Sequence, residues 1–226
     1  MSPRYLNTIT WLDTLSEPPR AQLREHSVSQ AYDDGQMVFV PDINPSSVFI
    51  LNTGLVRIYR LSSHGDEFTL GYIKQGEVFG ELAAYGEEPR ESFAQAIGRC
   101  TVLIVPKPIF VDLIRTVPEF GFAVSKQIET RFKSIEARAE SLVFLSVESR
   151  LASALLMLME NFGSGQRGGC IIQLRLTQAE FATLVGTSRP TINQTFRKLR
   201  ALGLIRMEKG HVAILNPEGL RQLAQQ

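Results

Sequence analysis

Two short helices joined by a tight turn are predicted by TQAEFATLVGTSRPTINQTFRKLRAL, residues 177–202. Thr177 is suited to cap the first helix, and Glu180 can return a bond to the cap amide, as in a capping box. Gly186 ends that helix, because a tight turn needs a residue that tolerates positive φ. Ser188 is suited to cap the second helix. The spacing therefore predicts a helix-turn-helix.

The second helix has an apolar face and a polar face. Pro190 lies in its first turn, where the missing amide costs little. Ile192, Phe196 and Leu199 form the apolar stripe. The opposite face offers cations and amides to a DNA major groove. Its side chains are Arg189, Thr191, Gln194, Arg197, Lys198 and Arg200. The plain alternative is an ordinary surface helix hairpin, since basic helices are common.

The surroundings of the two helices favour DNA binding. Residues 203–215, GLIRMEKGHVAIL, predict a β-hairpin with Lys209 and Gly210 near its tip, which is typical of a wing. Residues 171–215 contain seven basic and two acidic residues, a net charge of +5, whereas the first 170 residues have a net charge of −4. The whole-chain charge of +1 hides this asymmetry. A basic module at one end indicates nucleic-acid binding.

Composition bounds the class of protein. With 226 residues and 44% hydrophobic residues, the chain is predicted to fold as one large or two modest domains. We expect a cytoplasmic protein without a membrane partner, since no apolar run approaches a membrane span and the start lacks a secretion signal. Cys100, Cys170 and three scattered histidines give no metal-ligand spacing. No nucleophile–base set or P-loop is present, so we assign no catalytic residues and predict no enzyme.

The remaining chain divides into a β-rich region and helices. Short alternating runs between residues 27 and 106 predict a compact β-barrel or sandwich, preceded by a short helical pair over 10–27. Glycines at turn-like positions separate the runs. They are Gly35, Gly54, Gly65 and Gly76. Further helices are predicted over 147–162 and 215–226. A loop or hairpin over 163–169 and a short strand over 171–174 are expected between them.

A long helix is predicted over 118–145. Its apolar residues recur every seven positions, as in a coiled-coil seam, although Arg131 and Arg138 interrupt the partner positions. The alternative is a helix packed against its own barrel. Dimerisation is favoured, because a long helix beside a small barrel has an exposed stripe to cover. The predicted dimer contacts are Val124, Ile128, Phe132, Ile135, Leu142 and Leu145.

The order of these parts resembles the CRP/FNR family, the cyclic-AMP receptor protein-like bacterial transcription regulators. The most specific segments are GEVFGELAAYGEEPRES at 76–92, LVFLSVESRLAS at 142–153 and LTQAEFATLVGTSRPTINQTFRKLRALGLI at 176–205. The resemblance implies an α+β fold with three parts. They are an N-terminal cyclic-nucleotide-binding-like β-barrel (a double-stranded β-helix or jelly roll) over 1–116, a dimerisation helix and hinge over 117–146, and a winged helix-turn-helix over 147–226.

The resemblance also implies a function. It predicts a homodimer that binds a palindromic operator in double-stranded DNA, with RNA polymerase as a further partner and an effector sensed by the barrel. Two alternatives stay open. One is a nucleotide-binding regulatory module that acts through a protein partner, and the other is a ligand-independent regulator with a degenerate pocket.

An effector site is implied by GEVFGEL followed by Arg90, which corresponds to the family's phosphate-binding cassette. A helix N-terminus and an arginine suit an anionic phosphate, and a glutamate suits a ribose hydroxyl. The plain alternative is a loop that only closes the barrel. The predicted effector contacts are Gly80, Glu81, Leu82, Arg90, Ser92, Ile135 and Glu136.

The sequence departs from the cyclic-AMP pattern in two places. Glu91 stands where the family has a serine or threonine beside the phosphate, unless Ser92 shifts into that role. The pair that meets adenine is replaced by Ile135 and Glu136. Cyclic AMP is therefore disfavoured as the effector. Three alternatives stay open: another nucleotide such as cyclic di-GMP, an organic anion, or no ligand at all. An iron–sulfur cluster is excluded for lack of cysteines. Haem is disfavoured because each candidate axial ligand is better explained as a solvated or satisfied residue. These candidates are His26, His64 and Cys100.

The reading helix departs from the family as well. Pro190 replaces a glutamate and Gln194 an arginine, so the familiar TGTGA-type half-site is not expected. Arg189 can still fork onto guanine, and Gln194 suits adenine. The predicted DNA contacts are Gln178, Ser188, Arg189, Thr191, Gln194, Arg197 and Lys209.

Overall fold

The chain forms two compact units, Met1–Ile135 and Glu136–Gln226. The computed structural model describes residues 12, 15–42, 45–65, 67–85, 89–166 and 169–225. The division falls inside a long helix. It coincides with neither of the boundaries that the sequence suggested, after residues 116 and 146.

The N-terminal unit is built on β-strands with helices at both ends. Its elements are α1 (Glu17–His26), β1 (Val28–Tyr32), β2 (Met37–Phe39), β3 (Ser47–Leu61), β4 (Glu67–Ile73), β5 (Val78–Phe79), α2 (Leu82–Tyr85), β6 (Phe93–Pro106) and α3 (Lys107–Thr116), followed by α4 (Pro118–Phe144). Of the helical pair predicted over 10–27, α1 is the second member. The first lies largely outside the described residues.

All six strands belong to one antiparallel sheet of order β1-β6-β3-β4, with β2 paired to β6 and β5 to β3. The sheet is jelly-roll-like, which confirms the predicted class. It does not close into a barrel among the described residues, however, because β1 and β4 are edges that do not pair with each other.

Strand β3 runs unbroken through Gly54, whereas the sequence pattern predicts that Gly54 lies between two strands. Gly54 has φ 92, and the pairing of β3 with β6 shifts register on either side of Thr53. A Cβ at position 54 would lie 2.6 Å from the Cβ of Cys100. Gly54 therefore marks a bulge where the two long strands approach closely, not a turn.

The sheet buries side chains on both faces. Phe39, Phe49 and Phe79 stack inside the roll, with ring centroids 5.2 to 6.0 Å apart. The other face packs against the helices through a second cluster that includes Phe110 and Phe120. Two-sided burial explains why the runs in β3 and β6 are almost continuously apolar.

Helix α4 turns one face to its own unit. Val124 is fully buried in the same cluster as Phe120, and Ile128 packs partly against it. Val124 therefore has no surface to offer a second copy, and its assignment to the dimer interface is wrong. The first part of α4 therefore packs against its own unit, as one of the two interpretations predicts. Other apolar side chains remain exposed on the helix. They are Phe122, Phe132, Ile135, Val143 and Phe144.

The C-terminal unit comprises helices around a small sheet. After the end of α4 come α5 (Val147–Phe162), β7 (Gly163–Gln166), β8 (Gly169–Ile172), α6 (Gln178–Val185), α7 (Arg189–Ala201), β9 (Ile205–Glu208), β10 (His211–Ile214) and α8 (Pro217–Ala224). The strands form a sheet of order β7-β8-β10-β9. The hairpin predicted over 203–215 and the terminal helix are found. The segment predicted as a loop or hairpin contains β7, which pairs with β8, and the strand predicted over 171–174 lies two residues earlier, at Gly169–Ile172. Among the described residues, no helix is long and apolar enough to cross a membrane.

Candidate nucleic-acid interface and N-terminal cavity

Helix α6 begins and ends as its sequence predicts. The Thr177 hydroxyl accepts a hydrogen bond from the Glu180 amide at 3.2 Å, and the Glu180 carboxylate accepts one from the Thr177 amide at 2.6 Å. This reciprocal pair satisfies two amides that a helix start otherwise leaves unbonded. Gly186 follows the last turn with φ 71, a left-handed conformation. The direction of the next helix is thereby fixed over very few residues.

Helix α7 is capped and then packed against α6. The Ser188 hydroxyl accepts a hydrogen bond from the Thr191 amide at 3.3 Å, with Pro190 in the first turn. The Phe196 ring meets the Phe181 ring edge-on at 4.9 Å. Ile192 and Leu199 are fully buried beside Phe196. An apolar face held this firmly leaves the opposite face of α7 free to meet another molecule.

The outer face of α7 is exposed and basic. Arg189, Gln194, Arg197 and Arg200 are all exposed. Lys198 forms an ion pair with Glu148 of α5 at 2.9 Å. The hydrogen bond from Lys198 lowers the pKa of the Glu148 carboxyl. Lys198 is therefore partly neutralised within the unit, whereas none of the three arginines has a recorded ion pair among the described residues.

The hairpin of β9 and β10 carries a further cation beside the helices. Lys209 and Gly210 form its tip with φ values of 48 and 85, and both are exposed. Arg206 pairs with Glu208 on the hairpin itself. The predicted wing is thus present, with Lys209 as its unpaired cation among the described residues.

Two of the predicted contacts to the DNA backbone, Ser188 and Thr191, have part of their polarity already in use. The Ser188 and Thr191 hydroxyls bond to each other at 2.8 Å. Gln178 is half-buried, and its Oε1 atom has no hydrogen-bond partner. These side chains stand at the starts of α6 and α7, where helix N-termini favour phosphate oxygens. Their contacts with DNA stay predictions.

A cavity of about 270 Å³ lies in the N-terminal unit between β4, the cassette and α4. Six of the seven predicted effector contacts line it, and Glu136 is not among its lining residues. The six are Gly80, Glu81, Leu82, Arg90, Ser92 and Ile135. Helix α4 contributes Arg131 and Ile135 to the cavity wall.

Arg90 is turned into the roll. Its Nη2 atom donates to the carbonyl of Ser47 at 2.8 Å and to that of Gly80 at 3.3 Å, and its guanidinium lies 4.1 Å from the ring centre of Phe39. The residue is 9% exposed, and its Nε atom is buried without a partner. Burial lowers the pKa of the guanidinium. A buried cation with an unused donor beside a cavity suits an anion.

Glu81 is paired with a residue of α4. Its carboxylate accepts a hydrogen bond from Arg131 at 2.9 Å, and Arg131 also donates to the Val78 carbonyl. Burial raises the pKa of Glu81, although Arg131 opposes the shift. Arg131 was treated as a defect in a coiled-coil seam, so its role in the cavity was missed. The available sequence signal was an arginine at an apolar heptad position, which indicates a charged partner on a neighbouring element.

Glu91 also has a partner. Its carboxylate forms an ion pair with Arg60 of β3 at 2.5 Å, and both residues line the cavity. The repulsion expected between Glu91 and a bound anion is thus offset. Arg60 was missed, although strand alternation places it on the same side as Val56 and Ile58. The charged residues in the cavity wall are therefore two ion pairs and Arg90, which has an unused donor.

The two cysteines and the histidines build no metal site. No cluster of three or more His, Cys, Asp or Glu residues suited to a metal ion occurs within the described ranges. Cys100 is buried, and burial raises the pKa of its thiol to about 11. Such a thiol is a poor nucleophile and a poor ligand at neutral pH.

Two protein-family models match the chain. The cyclic nucleotide-binding domain covers residues 29–117, and the Crp-like helix-turn-helix domain covers residues 149–223. A CRP-like cAMP-activated global transcriptional regulator of Mycobacterium tuberculosis is 30% identical over 84% of this chain and 85% of its own length. The chain belongs to the CRP/FNR family of transcription regulators.

The chain is also similar to other regulators. The global nitrogen regulator of Synechococcus elongatus is 27% identical over 85% of this chain and 88% of its own. A crystal structure of a CRP/FNR regulator from Thermus thermophilus superposes with a TM-score of 0.76, at 25% identity, over 88% of this chain and 99% of that one. As a CRP/FNR regulator, the protein binds DNA through its helix-turn-helix and is not an enzyme. The family's nucleotide-binding domain makes a nucleotide effector possible.

Proposed function

We propose that this CRP/FNR regulator is a homodimer that reads a palindromic operator and is controlled by an anionic effector in the cavity. The observation that carries the proposal is the exposed basic face of α7 beside the wing. Reading helices of this type contact base edges through their N-terminal residues. Arg189 is the first residue of α7, and Gln194 lies further along the same exposed face. RNA polymerase is the further partner that the family resemblance implies.

Dimerisation is supported by the apolar face that α4 leaves exposed. Phe132 is 60% exposed, Ile135 42% and Val143 74%. Together with Ala139 they are spaced by three and four residues, as in a helix–helix seam. The seam is therefore centred on Phe132 and Ala139, whereas Val124 and Arg131 of the predicted register face the protein's own N-terminal unit. Leu142 and Leu145 are only half-buried and can still contribute.

A carboxylate in this seam is expected to prevent pairing of the protomers. Phe132→Asp should weaken self-association by roughly 100-fold or more, because an unpaired charge would be buried at the helix–helix contact. Sedimentation velocity over a range of concentrations measures the effect. Ala137→Asp is the matched control, since Ala137 is exposed on another face of α4. Equal association of both variants and the wild type would refute a dimer through α4.

Effector binding is supported by Arg90, whose buried Nε donor has no partner beside the cavity. The carboxylate that departs from the cyclic-AMP pattern, Glu91, lies beside a cation, because it forms an ion pair with Arg60. The mycobacterial relative is cAMP-activated. In this chain Ile135, not a polar pair, meets the cavity. An anionic nucleotide other than cyclic AMP, or an organic anion, is the proposed ligand class.

Calorimetric titration of cyclic AMP, cyclic GMP and cyclic di-GMP separates these possibilities. We expect saturable heat from a nucleotide other than cyclic AMP. Its affinity should fall about 10- to 100-fold in Arg90→Met, because hydrogen bonds to charged groups contribute about 1.5–3 kcal/mol. Arg99→Met, which changes an exposed arginine of β6, is the control. No saturable heat from any of the three would contradict a nucleotide effector.

A further inference from the structure

One arginine bonds to the ends of two helices at once. Arg150, in the first turns of α5, is half-buried. Its Nη1 atom donates to the carbonyl of Leu145 at 2.8 Å, just beyond the end of α4. Its Nε atom donates to the carbonyl of Val185 at 2.9 Å, and its Nη2 atom donates to that of Gly186 at 3.3 Å. All three nitrogens of the guanidinium therefore donate to backbone carbonyls.

The accepting carbonyls are those that helices leave without partners. The last turn of an α-helix has carbonyls with no internal donor, and it carries partial negative charge. Here the C-terminal ends of α4 and α6 converge on a single guanidinium. A fork of fixed donors can satisfy both ends together, which a lysine cannot do.

The same turn is also held by two residues of α4 within the C-terminal unit. Arg138 donates to the Thr183 carbonyl of α6 at 3.1 Å. Leu142 packs against Gly186 so closely that a Cβ there would lie 2.6 Å from its Cδ2 atom. The last turns of α4 are thus fixed to the helix-turn-helix by side chains, in addition to the chain connection through Ser146.

We infer that Arg150 is a positioning residue for DNA reading. It fixes the turn at Gly186, and α7 begins only three residues later at Arg189. The angle at which α7 leaves the turn sets where Arg189 points. A displacement of the end of α4 reaches that turn directly through Arg150 and Leu142. Arg150 acts on DNA recognition without touching DNA, because each nitrogen of its guanidinium donates to a carbonyl inside the unit.

Binding measurements on the full-length chain test this role. Arg150→Met is expected to lower affinity for the operator selected by the wild type at least 10-fold. Its affinity for random duplex DNA should change by less than about 2-fold. The slope of log K against log salt should stay the same, because a residue that neutralises no phosphate releases no counterion. Arg150→Lys should recover part of the loss, since it keeps a cation at the two helix ends.

Hydrogen exchange tests the same inference without any operator. In Arg150→Met, peptides covering 183–188 should exchange at least 10-fold faster, while those covering α8 stay unchanged. Arg221→Met is the control, because Arg221 pairs with Glu218 on α8, away from the turn at Gly186. Unchanged exchange at the turn would overturn the inference. So would a uniform loss on all DNA with a salt slope flattened by about one, which would make Arg150 a phosphate contact. Faster exchange throughout the unit would reduce Arg150 to a general stabilising role.

Discussion

Arg189→Ala is expected to lower affinity for the preferred operator roughly 10- to 100-fold and to leave affinity for random duplex DNA within a few fold. Arg189 is exposed at the first position of α7, where reading helices meet base edges. A bidentate contact between arginine and guanine discriminates by about 1–3 kcal/mol per base pair. The variant should therefore relax base preference at one position of each half-site. Competition binding with single-base operator variants measures this.

Arg197→Ala is the matched comparison, because it removes an exposed arginine from the same face two turns later. Arg197 is the better placed of the two for the phosphate backbone. Its loss should weaken binding to all sequences similarly and reduce the salt slope by about one for each copy bound. Indistinguishable behaviour of the two variants on every sequence would contradict the assigned roles.

Arg131→Met is expected to destabilise the N-terminal unit by about 3 kcal/mol at neutral pH. It leaves the Glu81 carboxylate buried without its partner, and breaking a buried ion pair on one side costs about 3–5 kcal/mol. We expect the lower end of this range because Arg131 is 25% exposed. Urea unfolding followed across a range of pH measures the free energy of unfolding.

The pH dependence of this loss identifies Glu81 as its source. Burial already raises the pKa of Glu81, and removing Arg131 should raise that pKa further. A carboxyl whose folded pKa exceeds its unfolded value of about 4.3 takes up a proton more readily when folded. Stability of Arg131→Met should therefore recover as the pH falls through the raised pKa. The double variant Arg131→Met/Glu81→Gln should lack this recovery and be more stable than Arg131→Met at neutral pH. Identical pH profiles for the single and double variants would contradict the account.

The reading module was predictable because local rules determine it. The capping box of Thr177 and Glu180, the positive φ of Gly186 and the cap at Ser188 each involve residues within a few positions of one another. Such bonds join residues close together in the chain, so a short stretch of sequence is enough to indicate them. The wing tip at Lys209 and Gly210 is local in the same sense.

The N-terminal unit was less predictable because distant residues determine its details. Gly54 is a bulge only because Cys100 lies across the strand, 46 positions away in the chain. The role of Arg131 depends on Glu81, which approaches α4 only after folding. Val124 was assigned to the dimer seam for the same reason, because a heptad pattern does not say which face of α4 packs against its own domain. Periodicity identified the helix but not its partners.

Selection from a pool of random duplexes with the purified wild-type protein at physiological salt tests the central claim most directly. A paired molecule with two reading helices should enrich an inverted repeat whose half-sites are centred about 10 base pairs, roughly 34 Å, apart. Arg189→Ala should lose the preference at one position of each half-site, whereas Ala137→Asp should enrich the same repeat as the wild type. Recovery of sequences no different from the starting pool, or of a single site without a repeat bound by one protomer, would contradict it.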